Sequence, residues 1–277
     1  MANKAGKLKL KNKSLIYTVL IIFFALIFVA ASVLLTRELI LRRQAEEYTA
    51  AIQNQYVPTL PPATEIEHVD NTADITETTD TEEAPTASAN KSSTPNPTIQ
   101  QLKSDYPDVI GWLTVEGAEV SHPFVQTDDN ATYLWTDLNR EYITGGTLFM
   151  DFYNSDDFSD KITVIYGHNM KNGTMFAKLS KYLDFDYLTE NPEVHISLPY
   201  STEHYTIAAC MVVDGSDNVI YDNIGEKHDI QEVVDFIYAN TTVNPDVTLE
   251  ADSNILILST CNRTFTMART LLICIPD

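Results

Sequence analysis

Three side chains in this sequence of 277 residues are of the types that acyl transfer requires. His168 follows a β-like run in the segment Thr163-Val-Ile-Tyr-Gly-His168-Asn-Met. Cys261 ends a second apolar run, Ile255-Leu-Ile-Leu-Ser-Thr-Cys261, and Arg269 lies eight residues further on, at the start of a third. A thiol attacks only as the thiolate, and its free pKa is about 8.5. An imidazole beside it takes the proton or stabilises the anion. The acyl carbon under attack becomes an oxyanion, for which a guanidinium is a permanently charged donor. Brought together at strand ends, the three supply nucleophile, acid/base and oxyanion stabiliser. Each also has a plainer reading alone: a buried small hydrophobe for the Cys, a structural ring for the His, a surface ion-pairing group for the Arg. Arg263, two residues after Cys261, competes with Arg269 for the guanidinium role.

Such residues need a rigid frame, and the pattern from Thr98 to Asp277 provides one. Ile99, Leu102 and Tyr106 are spaced for one helix face, closed by Pro107. Val109 to Val115 and Glu119 to Val125 flank Glu116-Gly117 as a hairpin. Gly145-Gly146 precedes Thr147-Leu-Phe-Met150. Ile162 to Tyr166, Val194 to Leu198, Tyr205 to Val213, Ile255 to Thr260 and Thr270 to Ile275 are further apolar or β-branched runs. Asp229 to Asn240 is helical, with Ile230, Val233, Val234 and Ile237 on one side. Many short strands and few helices predict a mainly β domain, a barrel or sandwich with added helices.

The rest of the chain is of other material. Leu15 to Leu35 is an uncharged run of 21 residues. As a helix it spans about 31 Å, enough for a hydrocarbon core of about 30 Å. Five lysines precede it, which favours an N-terminus retained in the cytoplasm and the bulk of the chain outside. The alternative, a cleaved signal peptide with small residues at Ala30-Ala31-Ser32, fits less well because the apolar run continues to Leu35. Gln44 to Pro97 reads as a stalk, acidic and rich in Thr, Pro and Ser from Tyr56 on, with too little apolar surface to fold. The expected organisation is a basic N-terminus (1–14), a membrane anchor (15–35), a juxtamembrane helix and disordered stalk (36–97) and one folded domain (98–277). The formal net charge of −21 argues against a nucleic-acid partner, which needs a basic face. Three cysteines with no Cys-x-x-Cys exclude a fully paired disulfide framework and a cysteine-rich zinc site.

At the three chemical segments the chain resembles the class B sortases. The marks of that family are a His in a Tyr166-Gly167-His168-Asn169 type strand end, a strand closing Leu258-Ser259-Thr260-Cys261, and an Arg opening the next strand, here Ala268-Arg269. The stretches His168 to Tyr182 and Val109 to Leu134 also match, and the helix Asp229 to Asn240 is similar to the family's extra helix before the Cys strand. The resemblance covers Thr98 to Ile275. It implies a sortase-like β-barrel with an N-terminal helix. It further implies a cysteine transpeptidase on the outer face of a Gram-positive-type membrane, working without a cofactor. Such an enzyme cuts a sorting motif in a secreted protein, holds the acyl part as a thioester and passes it to an amine of a peptidoglycan precursor or a pilin. Carried over by position, the resemblance implies Cys261 as the nucleophile, His168 as the acid/base and Arg269 as the group that stabilises the oxyanion or positions substrate. A peptidase that only hydrolyses, and a non-catalytic surface binding module, are the competing functions.

Lesser candidates surround these. Ser259 and Thr260 are candidate substrate-binding residues, or use their hydroxyls to hold the Cys strand. Asn169 is a candidate for binding substrate or orienting the His168 ring, or is turn chemistry. Asn172-Gly173 is a turn signal. His122, His195, His204 and His228 fall outside the matched motifs and read as structural. Asp151, Asp156, Asp157 and Asp160 form an acidic cluster without the spacing of a calcium loop. Cys210 and Cys274 either pair or stay as buried free thiols.

Overall fold

The computed structural model describes residues 2–58, 95–216, 218–224 and 229–277, with backbone alone at 2–14 and 218. The contacts divide the chain into two units, Met1–Ala50 and Ala51–Asp277. The first unit is helix. Helix α1 (Ala2–Tyr56) contains the uncharged run, and the large apolar side chains from Leu15 to Leu35 are exposed along it. Among the described residues it is the one helix long and apolar enough to cross a membrane. No Pro or Gly interrupts the chain between Thr36 and Val57, so the helix runs on until Pro58 excludes it. The helix therefore takes in Gln44 to Tyr56, the first part of the stretch expected as a stalk, and Pro97 opens the next helix; residues 59–94 of that stretch lie outside the described ones.

The second unit begins at Ala51, well before the expected Thr98. Ile52 and Tyr56 are buried in it; Gln53 Nε2 donates to Ser121 O at 2.8 Å and the Tyr56 hydroxyl to Asp105 Oδ2 at 2.6 Å. Helix α2 (Pro97–Asp105) starts with Pro97 in the first turn, where a missing N–H costs nothing, and Asn96 Oδ1 accepts from Ile99 N at 3.2 Å. Eight strands follow: β1 (Val109–Val115), β2 (Val120–Val125), β3 (Leu148–Met150), β4 (Ile162–Tyr166), β5 (Glu193–Ser197), β6 (Thr202–Asp214), β7 (Ile255–Cys261) and β8 (Ala268–Pro276). They close into a barrel in the order β1-β2-β3-β4-β7-β8-β6-β5. Of the two architectures the strand pattern allowed, the barrel is the one formed, and closure leaves the sheet without free edges.

Two pairs in this barrel are parallel, β2 with β3 and β4 with β7; the others are antiparallel. The β1–β2 hairpin forms as expected, but its turn is a 3-10 helix, Glu116–Ala118, closed by Glu119 at φ 54°. Helix α3 (Phe185–Glu190), the four-residue helix α4 (Asn218–Tyr221) and helix α5 (Ile230–Asn240) complete the unit, with a 3-10 helix at Ala177–Leu183. Asp229 caps α5, accepting from Glu232 N at 3.0 Å.

Strand alternation divides the core in two. Leu256 and Leu258 join Leu113, Phe124, Ile165, Phe176 and Leu272 in one cluster. Ile255 and Ile257, on the opposite face of β7, pack with Val233, Val234 and Ile237 of α5 in the other. Cys210 and Cys274 are both free and buried in the first cluster.

Two histidines are held neutral by this packing. Burial pushes His122 down to about 4. His195 is also lowered, first by burial and then by His204, whose Nδ1 lies 2.9 Å from its own across β5 and β6. In the unfolded chain a His takes up its proton near pH 6.5. Below that pH the unfolded state binds more protons than the folded one, so stability falls as pH drops. Urea unfolding midpoints should therefore decline between about pH 6.5 and 4, with His122 contributing a loss of about 3 kcal/mol at the acid end. His122→Gln should flatten this part of the profile; an unchanged profile would show that His122 is not the source.

Candidate active site

The geometry of the site follows from one strand pairing. Strands β4 and β7 are parallel neighbours in the register Ile162↔Ile255 to Tyr166↔Ser259. They therefore end at the same rim of the barrel, and His168 and Cys261 each lie two residues beyond the Tyr166↔Ser259 pair. Strand β8 then returns antiparallel with Arg269 directly opposite Cys261. All three line one cavity of about 300 Å³, with Asn130, Leu134, Phe149, Tyr166, Tyr221, Ser259 and Thr260 among its walls. The Cys261 side is open to solvent.

Backbone and polar contacts fix the two strand ends to each other. Gly167 N donates to Ser259 O at 3.1 Å, and the Thr260 hydroxyl donates to Gly167 O at 2.7 Å. A Cβ at Gly167 would lie 2.5 Å from Leu148 Cδ2 and 2.7 Å from the Phe176 ring, so only glycine lets the chain pass between core and cavity here. Asn169 Nδ2 donates to Cys261 O at 2.7 Å, tying the residue after the His to the backbone of the Cys. The turn beyond contains Gly173 at φ +84° and brings Phe176 N back to His168 O at 2.9 Å.

The His168 ring has its own supports. Leu134 O lies 2.8 Å from Nε2, and the Trp135 ring lies over the imidazole with centroids 4.6 Å apart. Arg269 is part-buried at the cavity, whereas Arg263 is an exposed loop residue whose guanidinium reaches Asn169 O at 3.4 Å. Two tyrosines complete the walls. The Tyr166 hydroxyl donates to Asp151 Oδ2 at 2.9 Å, and the Tyr221 hydroxyl shares a hydrogen bond of 3.1 Å with Ser259 Oγ. Burial pushes both phenols upward, Tyr166 further through the charge of Asp151, so both remain neutral hydroxyls.

The candidates from the sequence sort themselves by contact. Ser259 and Thr260 line the cavity, but their hydroxyls are already engaged by Tyr221 and Gly167. Asn169 holds backbone. In the acidic cluster, Asp151 accepts from Asn130, Tyr153 N and Tyr166, and Asp160 from Asn154 and Ser155 N. Among the described residues no three His, Cys, Asp or Glu side chains are arranged to hold a metal ion. His228 lies outside the described residues. Leu134, Trp135, Tyr221 and Asn130 were not singled out from the sequence. Asn130 and Trp135 are loop residues, and Leu134 and Tyr221 sit on one-turn helices, where no periodicity marks a site.

No family model matches the chain. Sortase B of Listeria monocytogenes is 32% identical over 166 residues, 59% of this chain and 67% of that protein. The X-ray structure of Clostridium perfringens sortase B superposes with a TM-score of 0.60 at 27% identity, covering 64% of this chain and 98% of that one. A Streptococcus pyogenes class B sortase involved in pilus biogenesis does so with a TM-score of 0.59 at 26% identity, over 64% and 97%.

The environment of the three thiols differs sharply. Burial pushes the Cys210 thiol up to about 12 and raises Cys274 as well, whereas Cys261 is exposed. Iodoacetamide applied to the native chain should label one site per molecule, and three after denaturation, by intact mass. Cys261→Ala should abolish the native label; labelling that survives this change would mean that the core opens.

Proposed function

The chain belongs to the class B sortases, a family of cysteine transpeptidases, and on that premise we propose that it is a single-pass membrane enzyme that cleaves sorting motifs in secreted proteins and joins them to an amine. The convergence of Cys261, His168 and Arg269 on one cavity carries this reading. In the proposed cycle Cys261 gives its proton to His168 and its sulfur attacks the scissile carbonyl carbon. Arg269 faces the oxygen as charge develops on it. When the C–N bond breaks, His168 returns the proton to the leaving amine and a thioester remains on Cys261. The accepting amine then attacks that thioester, loses a proton to His168 and releases the sulfur. The apolar run of α1, preceded by lysines, supports an anchor with its N-terminus in the cytoplasm and the barrel outside.

A pilin-polymerising role is the second reading, favoured by the structural likeness to the S. pyogenes enzyme involved in pilus biogenesis. A lysine side chain and a cross-bridge amine react alike, so the acceptor has to be measured. The full chain in detergent, and its Cys261→Ala variant, should be incubated with a panel of sorting-type peptides. Acceptors should be a wall cross-bridge peptide, a lysine-containing pilin-type peptide, or none, with products read by mass. Cys261-dependent cleavage with an amine adduct is expected, and the better acceptor separates wall anchoring from pilus assembly. Cleavage that never yields an adduct would point to a hydrolase, and no cleavage by any peptide to a binding module.

Two further outcomes follow from the roles. Arg269→Ala should lower kcat/KM by about a hundred-fold, the usual worth of an oxyanion donor, and Arg263→Ala by much less; the reverse order would exchange their roles. Because the Cys261–His168 pair must hold one proton between them, and acid adds a second while base removes the first, kcat/KM should be bell-shaped in pH. A rate flat from about pH 5 to 10 would rule out this pairing.

A further inference from the structure

Trp135 is a large aromatic side chain left 46% exposed, and its ring lies on the face of His168 at a tilt of 42°. The residue before it, Leu134, presents its carbonyl oxygen to Nε2 of the same ring at 2.8 Å. Two consecutive residues thus grip one imidazole, by its edge and by its face. A carbonyl oxygen has no proton to give. In the neutral ring Nε2 must therefore carry the hydrogen, and Nδ1 the lone pair.

This grip is built into the fold. Asp129 Oδ1 accepts from Ala131 N and Thr132 N at 2.7 Å, starting the short 3-10 helix Thr132–Leu134. Thr147 N donates to Tyr133 O and Ile143 N to Trp135 O, both at 3.0 Å, so the backbone is pinned on either side of Leu134. Gly146, at φ +56°, lies against the Leu134 carbonyl, where a Cβ would strike the oxygen that faces His168. Gly146 therefore keeps the acceptor clear.

We propose that Trp135 is a positioning residue for His168: its ring clamps the imidazole against the Leu134 carbonyl, keeps the hydrogen on Nε2, and makes Nδ1 the one atom at which His168 takes up and returns protons. This rests on the acid/base role given to His168 above. In the cycle the Cys261 proton moves to Nδ1 as the sulfur–carbon bond forms, then from Nδ1 to the leaving nitrogen as the carbon–nitrogen bond breaks. The accepting amine returns a proton to Nδ1 on the way out. The Nε2 hydrogen stays on the ring, donated to the Leu134 carbonyl, throughout. A ring free to rotate or change tautomer would present the wrong nitrogen for part of the time.

The test uses the full chain in detergent, labelled with 15N at histidine, with His168→Gln to assign the signal. Long-range 1H–15N spectra at about pH 9, where a free imidazole is neutral, report the tautomer. The intact enzyme should show a single form protonated at Nε2. Trp135→Ala should show mixed tautomers, with kcat down by about ten-fold and KM little changed on the peptide and amine pair found by the panel. Trp135→Phe should restore both, and thermal melts should show all three folded. A bare Nε2 in the intact enzyme would overturn the proposal. So would Trp135→Ala with an unchanged single tautomer, whatever its rate, since Trp135 would then act on something other than His168. If no peptide is turned over by any form, the spectra still decide the positioning claim, and the failure belongs to the proposed activity.

Discussion

Everything at the cavity depends on β4 and β7 lying parallel and in register. In a barrel built mostly of antiparallel neighbours, this is one of two parallel contacts. An antiparallel pair would send the two strand ends to opposite rims. The parallel pair sends His168 and Cys261 to the same one, across 93 residues of chain, and the antiparallel return of β8 adds Arg269 opposite the Cys. A parallel connection needs a long crossover. Here the path from β4 to β7 contains β5, β6 and helices α3 to α5, and α5 then covers the outer face of the same strands. The helix that looks like an addition thus belongs to the means by which the sheet brings its chemistry together.

Around that frame the polar contacts act as fasteners between strand ends. Thr260 on Gly167 and Asn169 on Cys261 cross from one end to the other in opposite directions. Each bond alone is worth about 1 kcal/mol net. Their greater effect is geometric, because the residues they join are the ones whose relative placement the chemistry requires. Tyr166 and Tyr221 extend the same logic into the walls, presenting neutral hydroxyls to the cavity that Arg269 lines.

Strands with a continuous β-branched apolar run could be read directly: β4 was expected and found at Ile162–Tyr166, and β7 within one residue of its observed end. Helix α5 was equally legible, since Ile230, Val233, Val234 and Ile237 repeat at the helical period. The 3-10 helix Ala177–Leu183 was not, because Leu179 and Tyr182 are placed by the core they enter and their spacing carries no strong periodicity. Asp151 read as part of an acidic cluster, yet it is an acceptor for Tyr166 and Asn130, a role that only the folded neighbourhood reveals. Leu134 is the plainest case. It acts through a carbonyl oxygen that every residue possesses, so its side-chain identity says nothing about it.

Cys210 and Cys274 are sealed in the core while Cys261 stands alone at the surface. In oxidising surroundings that arrangement sets the fate of a damaged molecule. A thiolate oxidised to the sulfenic acid is rescued when a second thiol condenses with it, and is otherwise open to irreversible oxidation. Neither buried cysteine can reach Cys261 without unfolding the barrel. Recovery of an oxidised molecule must therefore come from an external thiol small enough to enter the cavity, so the redox poise of its surroundings sets how long each copy stays competent.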